Sequence, residues 1–202
     1  LAVNGIRSTD YDLQPNTEQT GEGQSNYTGA LDDDNVNFTA DFGFTDLVAL
    51  GNRVWFDAGA GAFYNNGILD AGESPVNNVT VQLFTSAGVE VPVGPDGILG
   101  TADDALGGVQ TSGGGYYRFD RLYQATYYVQ IPTTEFQAGG DLAGYVSTTV
   151  TGANETSDNN ADENGIDVST LITTGIRTQN YTLLSNTEPT GEDQTNYAGA
   201  LD

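Results

Sequence analysis

One segment occurs twice in the chain, and this repeat constrains the fold more than any other feature. Residues 5–32 (GIRSTDYDLQPNTEQTGEGQSNYTGALD) return as residues 175–202 (GIRTQNYTLLSNTEPTGEDQTNYAGALD), without a gap and with 18 of 28 positions identical. A segment that recurs at a fixed spacing, here 170 residues, is typical of an array of similar modules. The first copy continues into residues 33–44 (DDNVNFTADFGF), for which the second copy has no counterpart. We therefore expect residues 1–44 to end one module and residues 45–202 to form the next.

Hydrophobic periodicity predicts an all-β fold. Residues 35–44 alternate strictly between apolar and polar or glycine positions, which indicates a strand with one buried face. No stretch has a sustained helical period, so helix should be scarce. Short strands separated by turn residues are typical of an antiparallel β-sandwich. Trp55 and Phe119 lie on apolar positions and should be buried. The further predicted strands are 51–57, 79–85, 89–93, 116–122 and 125–131, the last two forming a hairpin.

The charge excludes several classes of function. The net charge is -23, and the five cationic residues are all arginines. This balance excludes nucleic-acid binding by a basic face and disfavours anionic membrane surfaces. No apolar run is long enough to insert into a membrane. So many carboxylates repel one another unless a cation neutralises them, and Ca²⁺ is the expected cation.

The acidic segment NGILDAGE (66–73) matches the second half of an EF-hand-type calcium loop. The first half departs from that pattern, because Asp57 is followed by an insertion of small and aromatic residues. We expect the insertion to loop out and to let Asp57 return to the ion. The alternative is a solvated acidic turn. The predicted ligands are Asp57, Asn66, the backbone carbonyl of Ile68, Asp70 and Glu73.

Two further acidic loops are candidate calcium sites. Residues 94–108 place acids on both sides of glycines, and a plain turn is an equally good interpretation. Residues 157–167 carry oxygen side chains at alternate positions before a glycine, without the terminal bidentate Glu of a calcium loop. The candidate ligands are Asp96, Asp103 and Asp104 in the first loop, and Asp158, Asn160, Asp162 and Asn164 in the second.

The residue inventory argues against an enzyme. The chain has no His, Cys or Lys to act as nucleophile or general base. A carboxylate pair could hydrolyse glycosides, but the acids cluster in loops whose spacing suits a cation. Tyr116, Tyr117, Tyr127 and Tyr128 could form a sugar-binding face, although cross-strand packing is the more common role.

Three segments together resemble the SdrD B-like (Cna B-type) repeat of bacterial surface proteins. They are GNRVWFD, NGILDAGESPVNNVTVQLF and GGGYYRFDRLYQATYYVQIP. The resemblance covers residues 45–202 and, through the duplicated segment, residues 1–44. It implies a prealbumin-like antiparallel sandwich, calcium in the long loops and a stalk or spacer role on a cell surface. Some Cna B-type domains close with a Lys–Asn isopeptide bond, which a chain without Lys cannot form.

The sequence therefore predicts a calcium-rigidified repeat of an extracellular bacterial polymer: a filament, a surface layer or an adhesin stalk. Because residues 45–202 lack a closing strand of their own, we expect strand 36–44 of one copy to complete the sandwich of its neighbour. The alternative is a binding module that holds a glycan or a host protein.

Overall fold

Strands dominate the second of the two units into which the chain divides, Leu1–Thr45 and Asp46–Asp202. The computed structural model describes residues 6–18, 20–21, 35, 37, 40–148, 163–166, 168 and 170–187. The described residues of the first unit contain no strand. Side-chain hydrogen bonds link some of its described residues: Asn35 accepts a hydrogen bond from the Asn16 N–H (3.1 Å), and Asn37 donates to Glu18 (2.9 Å).

The described part of the second unit contains nine short strands and very little helix. A single-turn helix, α1 (Leu171–Thr174), and 3-10 turns at Gly61–Phe63 and Thr133–Phe136 are its helical elements within the described residues. The strands are β1 (Val48–Arg53), β2 (Trp55–Phe56), β3 (Ser74–Pro75), β4 (Thr80–Thr85), β5 (Val109–Gln110), β6 (Tyr116–Leu122), β7 (Thr126–Ile131), β8 (Ile176–Arg177) and β9 (Tyr181–Thr182).

The strands form antiparallel sheets that share one core. β1 pairs with β6, and β2 pairs with β3. The largest sheet has the order β5-β4-β7-β8, with β9 also paired to β7. Apolar side chains of β1 and β6 pack in the same buried cluster as those of β4, β5 and β7. The all-β sandwich predicted from the alternating pattern is therefore confirmed.

The alternation of apolar residues correctly predicts that Phe119 is buried and overestimates the burial of Trp55. Phe119 in β6 is fully buried, as expected, and pairs with Leu50 of β1. Trp55 is only partly buried, because β2 is two residues long and its partner β3 is exposed. The Trp55 indole nitrogen is nevertheless enclosed and has no hydrogen-bond partner among the described residues.

The predicted hairpin between residues 116–122 and 125–131 is wrong, although both strands exist. β6 pairs with β1 and β7 pairs with β4, so the short connection after Leu122 carries the chain from one sheet to the other. Before this crossing the strand is irregular: Arg121 has φ 58°, and three residues of β6 span the distance of two residues in β1. Such a bulge increases local twist and redirects a strand.

Two other predicted strands differ from the observed ones. The strand expected at 51–57 begins earlier, at Val48, and is interrupted at Val54. There the Val54 N–H donates to the Gly115 carbonyl and the Val54 carbonyl accepts the Val76 N–H, so the chain changes partners. Residues 89–93 form no strand. They contact β4 through the single Phe84–Glu90 bridge and through hydrogen bonds to the Gln82 and Thr85 side chains.

Candidate metal centre

A short strand pair closes the first acidic loop. β2 ends at Phe56 and β3 begins at Ser74, and these two residues are paired in register. Asp57 and Glu73 are therefore the next residues on either side, so the ladder brings the two predicted ligands to the same end of the loop. The sequence separation between them is bridged because the insertion closes on itself through an Ala58–Tyr64 bridge.

Backbone N–H groups orient the carboxylates of this loop. Asp57 Oδ2 accepts the Gly67 N–H at 2.7 Å, where Gly67 has φ 73° and so allows the sharp turn. Glu73 accepts two hydrogen bonds, from the Gly59 N–H at 2.9 Å and from the Asp70 N–H at 3.0 Å. Asn66 donates to Asp70 Oδ2 at 2.9 Å and accepts the Ile68 N–H at 3.0 Å. The predicted ligands thus belong to one hydrogen-bonded loop.

One oxygen in this loop is left over. Asp57 Oδ1 is buried and has no hydrogen-bond partner among the described residues. A buried carboxylate oxygen normally has a donor or a cation beside it, because its desolvation is otherwise costly. Ca²⁺ takes oxygen ligands, so the donor type at Asp57 fits this ion.

A residue outside the predicted ligand set, Glu163, contacts the same loop. The Glu163 N–H donates to the Gly67 carbonyl at 2.9 Å, and Glu163 Oε1 accepts the Gly165 N–H at 2.6 Å. The Ile166 N–H in turn donates to the Arg177 carbonyl, in β8. The third candidate loop is thereby attached to the first. Glu163 lies in the acidic sequence ADENG, but the pattern of alternate positions predicted Asn164 as a ligand and not Glu163.

The remaining residues of the third loop are placed unevenly. Asn164 is partly buried beside Glu163. Asp158, Asn160 and Asp162 lie outside the described residues, so the proposed alternate-position ligand set stays a prediction.

The second acidic loop uses its carboxylates within the loop itself. Asp96 accepts the Ile98 N–H at 2.8 Å, and Asp104 accepts the Gly100 N–H at 2.9 Å. Asp103 accepts the Thr101 hydroxyl at 2.6 Å, and this hydrogen bond lowers the pKa of the exposed Asp103 carboxyl. Short polar side chains bonded to nearby backbone are typical of turns. These contacts order the loop as a turn, and its metal site stays a prediction.

Across the described ranges, no group of three or more Asp, Glu, His or Cys side chains is arranged to hold a metal ion. A cation at the first loop would therefore need amide and backbone carbonyl oxygens besides carboxylates, as EF-hand-type sites use. The same ranges contain no helix with the length and apolar character needed to cross a bilayer.

The four tyrosines considered for a sugar-binding face lie mostly inside the protein. Tyr127 and Tyr128 are buried, and Tyr116 and Tyr117 are partly buried. Tyr128 stacks on Phe84 with ring centroids 5.1 Å apart, and the Arg177 guanidinium covers its ring. Cross-strand packing is therefore the role that the structure gives these tyrosines.

Comparison with known proteins gives a family for most of the chain. Residues 48–188 match the model of the SdrD B-like domain. Among curated proteins, Colossin-B of Dictyostelium discoideum is 30% identical over 90 residues, which cover 45% of this chain and 2% of that protein. The chain thus spans a very small part of that protein, so the match gives no information about function. The family match extends from β1 past β9, and on this ground the chain belongs to the SdrD B-like domains, non-enzymatic structural modules of bacterial surface proteins.

Proposed function

We propose that this chain is a structural repeat of an extracellular bacterial polymer, joined head to tail by strands shared between copies and made rigid by calcium. A filament, a surface layer and an adhesin stalk are the assemblies that such a repeat would build. The segment that recurs after 170 residues is the observation that carries the proposal, because it places equivalent module ends at a constant spacing.

The region around residue 40 supports strand sharing. Phe42 and Phe44 belong to the predicted strand, yet their side chains are 53% and 82% exposed. The described residues 40–47 contain no strand. Val36 and Phe38 lie outside the described residues and complete the same apolar row in the sequence. Burying four such side chains at roughly 1.5–3 kcal/mol each would contribute about 6–12 kcal/mol, comparable with the net stability of a whole domain.

This part of the proposal is tested by extending the chain with a second copy of residues 33–44 at its C-terminus. The added segment should dock in the same chain or in the next one, and it should raise the melting temperature by several degrees. A matched extension in which the four apolar residues are replaced by Ser controls for length and charge. Equal melting temperatures for the two extensions would refute strand sharing.

Calcium binding rests on the first acidic loop. Asp57 has a buried oxygen without a hydrogen-bond partner, and the strand ladder holds it opposite Glu73. The family match covers this loop as well. Asp57, Glu73 and the side-chain oxygen of Asn66 would hold the ion together with backbone carbonyls. The bound ion would neutralise the local acids and fix the loop to the sandwich.

Thermal unfolding with calcium and with a chelator tests this site. A ligand that binds only the folded state, present at a hundredfold excess over Kd, adds about 2.7 kcal/mol to the free energy of unfolding. Asp57→Asn should remove most of the calcium-dependent shift, since it keeps the acceptor for the Gly67 N–H and loses the charge. Glu135→Gln is the matched control, because Glu135 also accepts a backbone N–H, from Thr80, and both residues lie outside the three candidate loops. Identical melting temperatures with calcium and with chelator would refute the calcium proposal.

A binding module is the second candidate, and the insertion in the first loop favours it. Phe63 and Tyr64 are 55% and 67% exposed at neighbouring positions beside the Ala58–Tyr64 bridge. Aromatic side chains presented in this way can stack on sugar rings or anchor a protein partner. A glycan array with the wild type and with Phe63→Ala separates the candidates, because a purely structural repeat would bind no glycan in either form.

A further inference from the structure

We propose that residues 6–13, the upstream segment, bind the β7 edge of another copy of this chain. There they would take the position that residues 176–183, the downstream segment, occupy in their own chain. This inference rests on the repeat proposed above, and it names both the docking segment and the edge that receives it.

The downstream segment shows what this sequence does when it lies beside its partner strand. It contains β8 and β9, which both pair with β7. Leu183 is 3% exposed, and its N–H donates to the Ala125 carbonyl at 2.9 Å. The Arg177 guanidinium lies over the Tyr128 ring, 4.7 Å from its centroid. Docking on β7 therefore buries the leucine and gives the arginine an aromatic partner.

The upstream segment carries the same side chains in an exposed state. Residues 6–13 (IRSTDYDL) and 176–183 (IRTQNYTL) share Ile, Arg, Tyr and Leu at equivalent positions. Ile6 and Leu13 are 72% and 64% exposed, and residues 6–13 belong to no strand. Burial of such side chains is favourable. The contrast with the buried Leu183 indicates that a β7 edge is the surface that the upstream segment fits.

The differences between the two segments preserve the contacts with β7. The Thr178 hydroxyl accepts the Val129 N–H at 3.1 Å, and Ser8 at the equivalent position also has a hydroxyl. The other three differences fall at positions that are exposed in the downstream segment, and each replaces one polar residue by another. These residues of the upstream segment are Thr9, Asp10 and Asp12.

Two segments compete for each β7 edge, because the downstream segment already occupies it in its own chain. A segment tethered to its own acceptor has an effective concentration of about millimolar, so an upstream segment from another chain is at a disadvantage. Leu183→Ala in the acceptor chain weakens the tethered segment, whereas Leu13 of the donor chain is unchanged. We expect at least about tenfold more docking between chains with this substitution than without it.

Cysteine cross-linking of full chains tests this docking, because the chain has no native Cys. Thr126 of β7 is paired with Thr182, and their hydroxyl oxygens lie 2.9 Å apart. The adjacent pair is hydrogen-bonded through the Leu183 N–H, so Thr126 and Thr182 form a pair of the non-hydrogen-bonded type. The Cα atoms of such a pair are about 4.5 Å apart, within the range of a disulfide. Asp12 is the upstream equivalent of Thr182.

The donor chain therefore carries Asp12→Cys, and the acceptor chain carries Thr126→Cys and Leu183→Ala. The two chains have different tags, so that mixed dimers can be separated from dimers of one chain. We expect a disulfide-linked mixed dimer, and at least about tenfold less of it when the acceptor retains Leu183.

Gln130→Cys replaces Thr126→Cys in the matched control acceptor. Gln130 also lies on β7, but it is paired with Arg177, at the other end of the downstream segment. It is about 13 Å along the strand from Thr126, too far for a disulfide with Asp12→Cys in the proposed register. The control should give at least about tenfold less mixed dimer. Equal yields at the two positions would overturn the inference, because cross-linking would not depend on register.

Circular dichroism shows whether the acceptor is folded, and Ile176→Ala replaces Leu183→Ala if that variant unfolds. Absence of mixed dimer from a folded acceptor would overturn this inference alone, because the extension by residues 33–44 tests the proposed strand sharing separately. A disulfide formed within one chain that carries Asp12→Cys, Thr126→Cys and Leu183→Ala would show that the upstream segment docks on its own chain, against the inference.

Discussion

Thr111 provides the sharpest test of how the entry to β4 is anchored, because it is polar and almost completely buried, with 1% of its surface exposed. It follows β5, and its hydroxyl lies between two backbone groups of the segment that enters β4. The hydroxyl accepts the Val79 N–H at 3.0 Å and donates to the Val76 carbonyl at 2.8 Å. The Thr111 backbone adds hydrogen bonds to Val79 and Asn78.

Thr111→Val keeps the shape of the side chain and removes only its hydrogen bonds. Two buried backbone groups then lose a partner, at about 1–3 kcal/mol each. The added methyl group returns about 0.8 kcal/mol. We therefore expect a net loss of about 1–5 kcal/mol, although the substitution makes the core more hydrophobic.

Thr111→Ser is the matched control, since it retains the hydroxyl and loses one methyl group, worth about 0.8 kcal/mol. Urea denaturation of both variants gives the free energies of unfolding, provided that the m-values are unchanged. The Val variant should be the less stable of the two. A Val variant as stable as the wild type would refute the structural role of the hydroxyl.

Three further outcomes follow from named contacts. Phe119→Ala should lower the free energy of unfolding by about 3–5 kcal/mol. The Tyr123 side chain is 63% exposed, so Tyr123→Ala should change this free energy by less than about 0.5 kcal/mol. Similar losses in the two variants would mean that the parity of β6 is wrong. Burial raises the pKa of Tyr127 above its usual value of 10.0, so its contribution to stability is complete below pH 10 and lost as pH rises through the folded-state pKa. Tyr127→Phe should therefore reduce the loss of stability in alkaline urea titrations, and an unchanged profile would count against this assignment. The Thr101 hydroxyl lowers the pKa of Asp103, so this carboxylate contributes stability above its unfolded pKa near 3.8, which is lost as pH falls through the lower folded value. Thr101→Val should raise the Asp103 pKa in an NMR titration, and an unmoved pKa would show that the hydroxyl is not its main partner.

Local pattern was sufficient to predict the strands that have one buried face. The predicted strand 116–122 matches β6 residue for residue, and 79–85 and 125–131 match β4 and β7 within one residue. Alternation is a property of each segment, so it can be seen without knowing the partner. The two-residue strands β3, β5, β8 and β9 are too short to show a period, so the alternating pattern did not predict them.

The candidate metal site could likewise be predicted only in part from the sequence. Spacing alone selected Asp57 and the segment 66–73, which the structure joins in one hydrogen-bonded loop. It did not select Glu163, because that residue reaches Gly67 only when a segment nearly 100 positions away folds back. Nor did spacing reveal that the carboxylates at 96, 103 and 104 accept hydrogen bonds within their own turn.

The sequence by itself determined the all-β class, the repeat period and the apolar parity that buries Phe119, since each depends on residues close together or on direct identity. Only the tertiary structure decided which strands pair. β6 and β7 are neighbours in sequence and were expected to form a hairpin, but they lie in different sheets. Their partners, β1 and β4, are distant in the chain, and both arrangements would bury the same apolar faces. Pairing depends on the positive φ at Arg121 and on the Thr111 hydrogen bonds that anchor the entry to β4, which form only when distant segments meet.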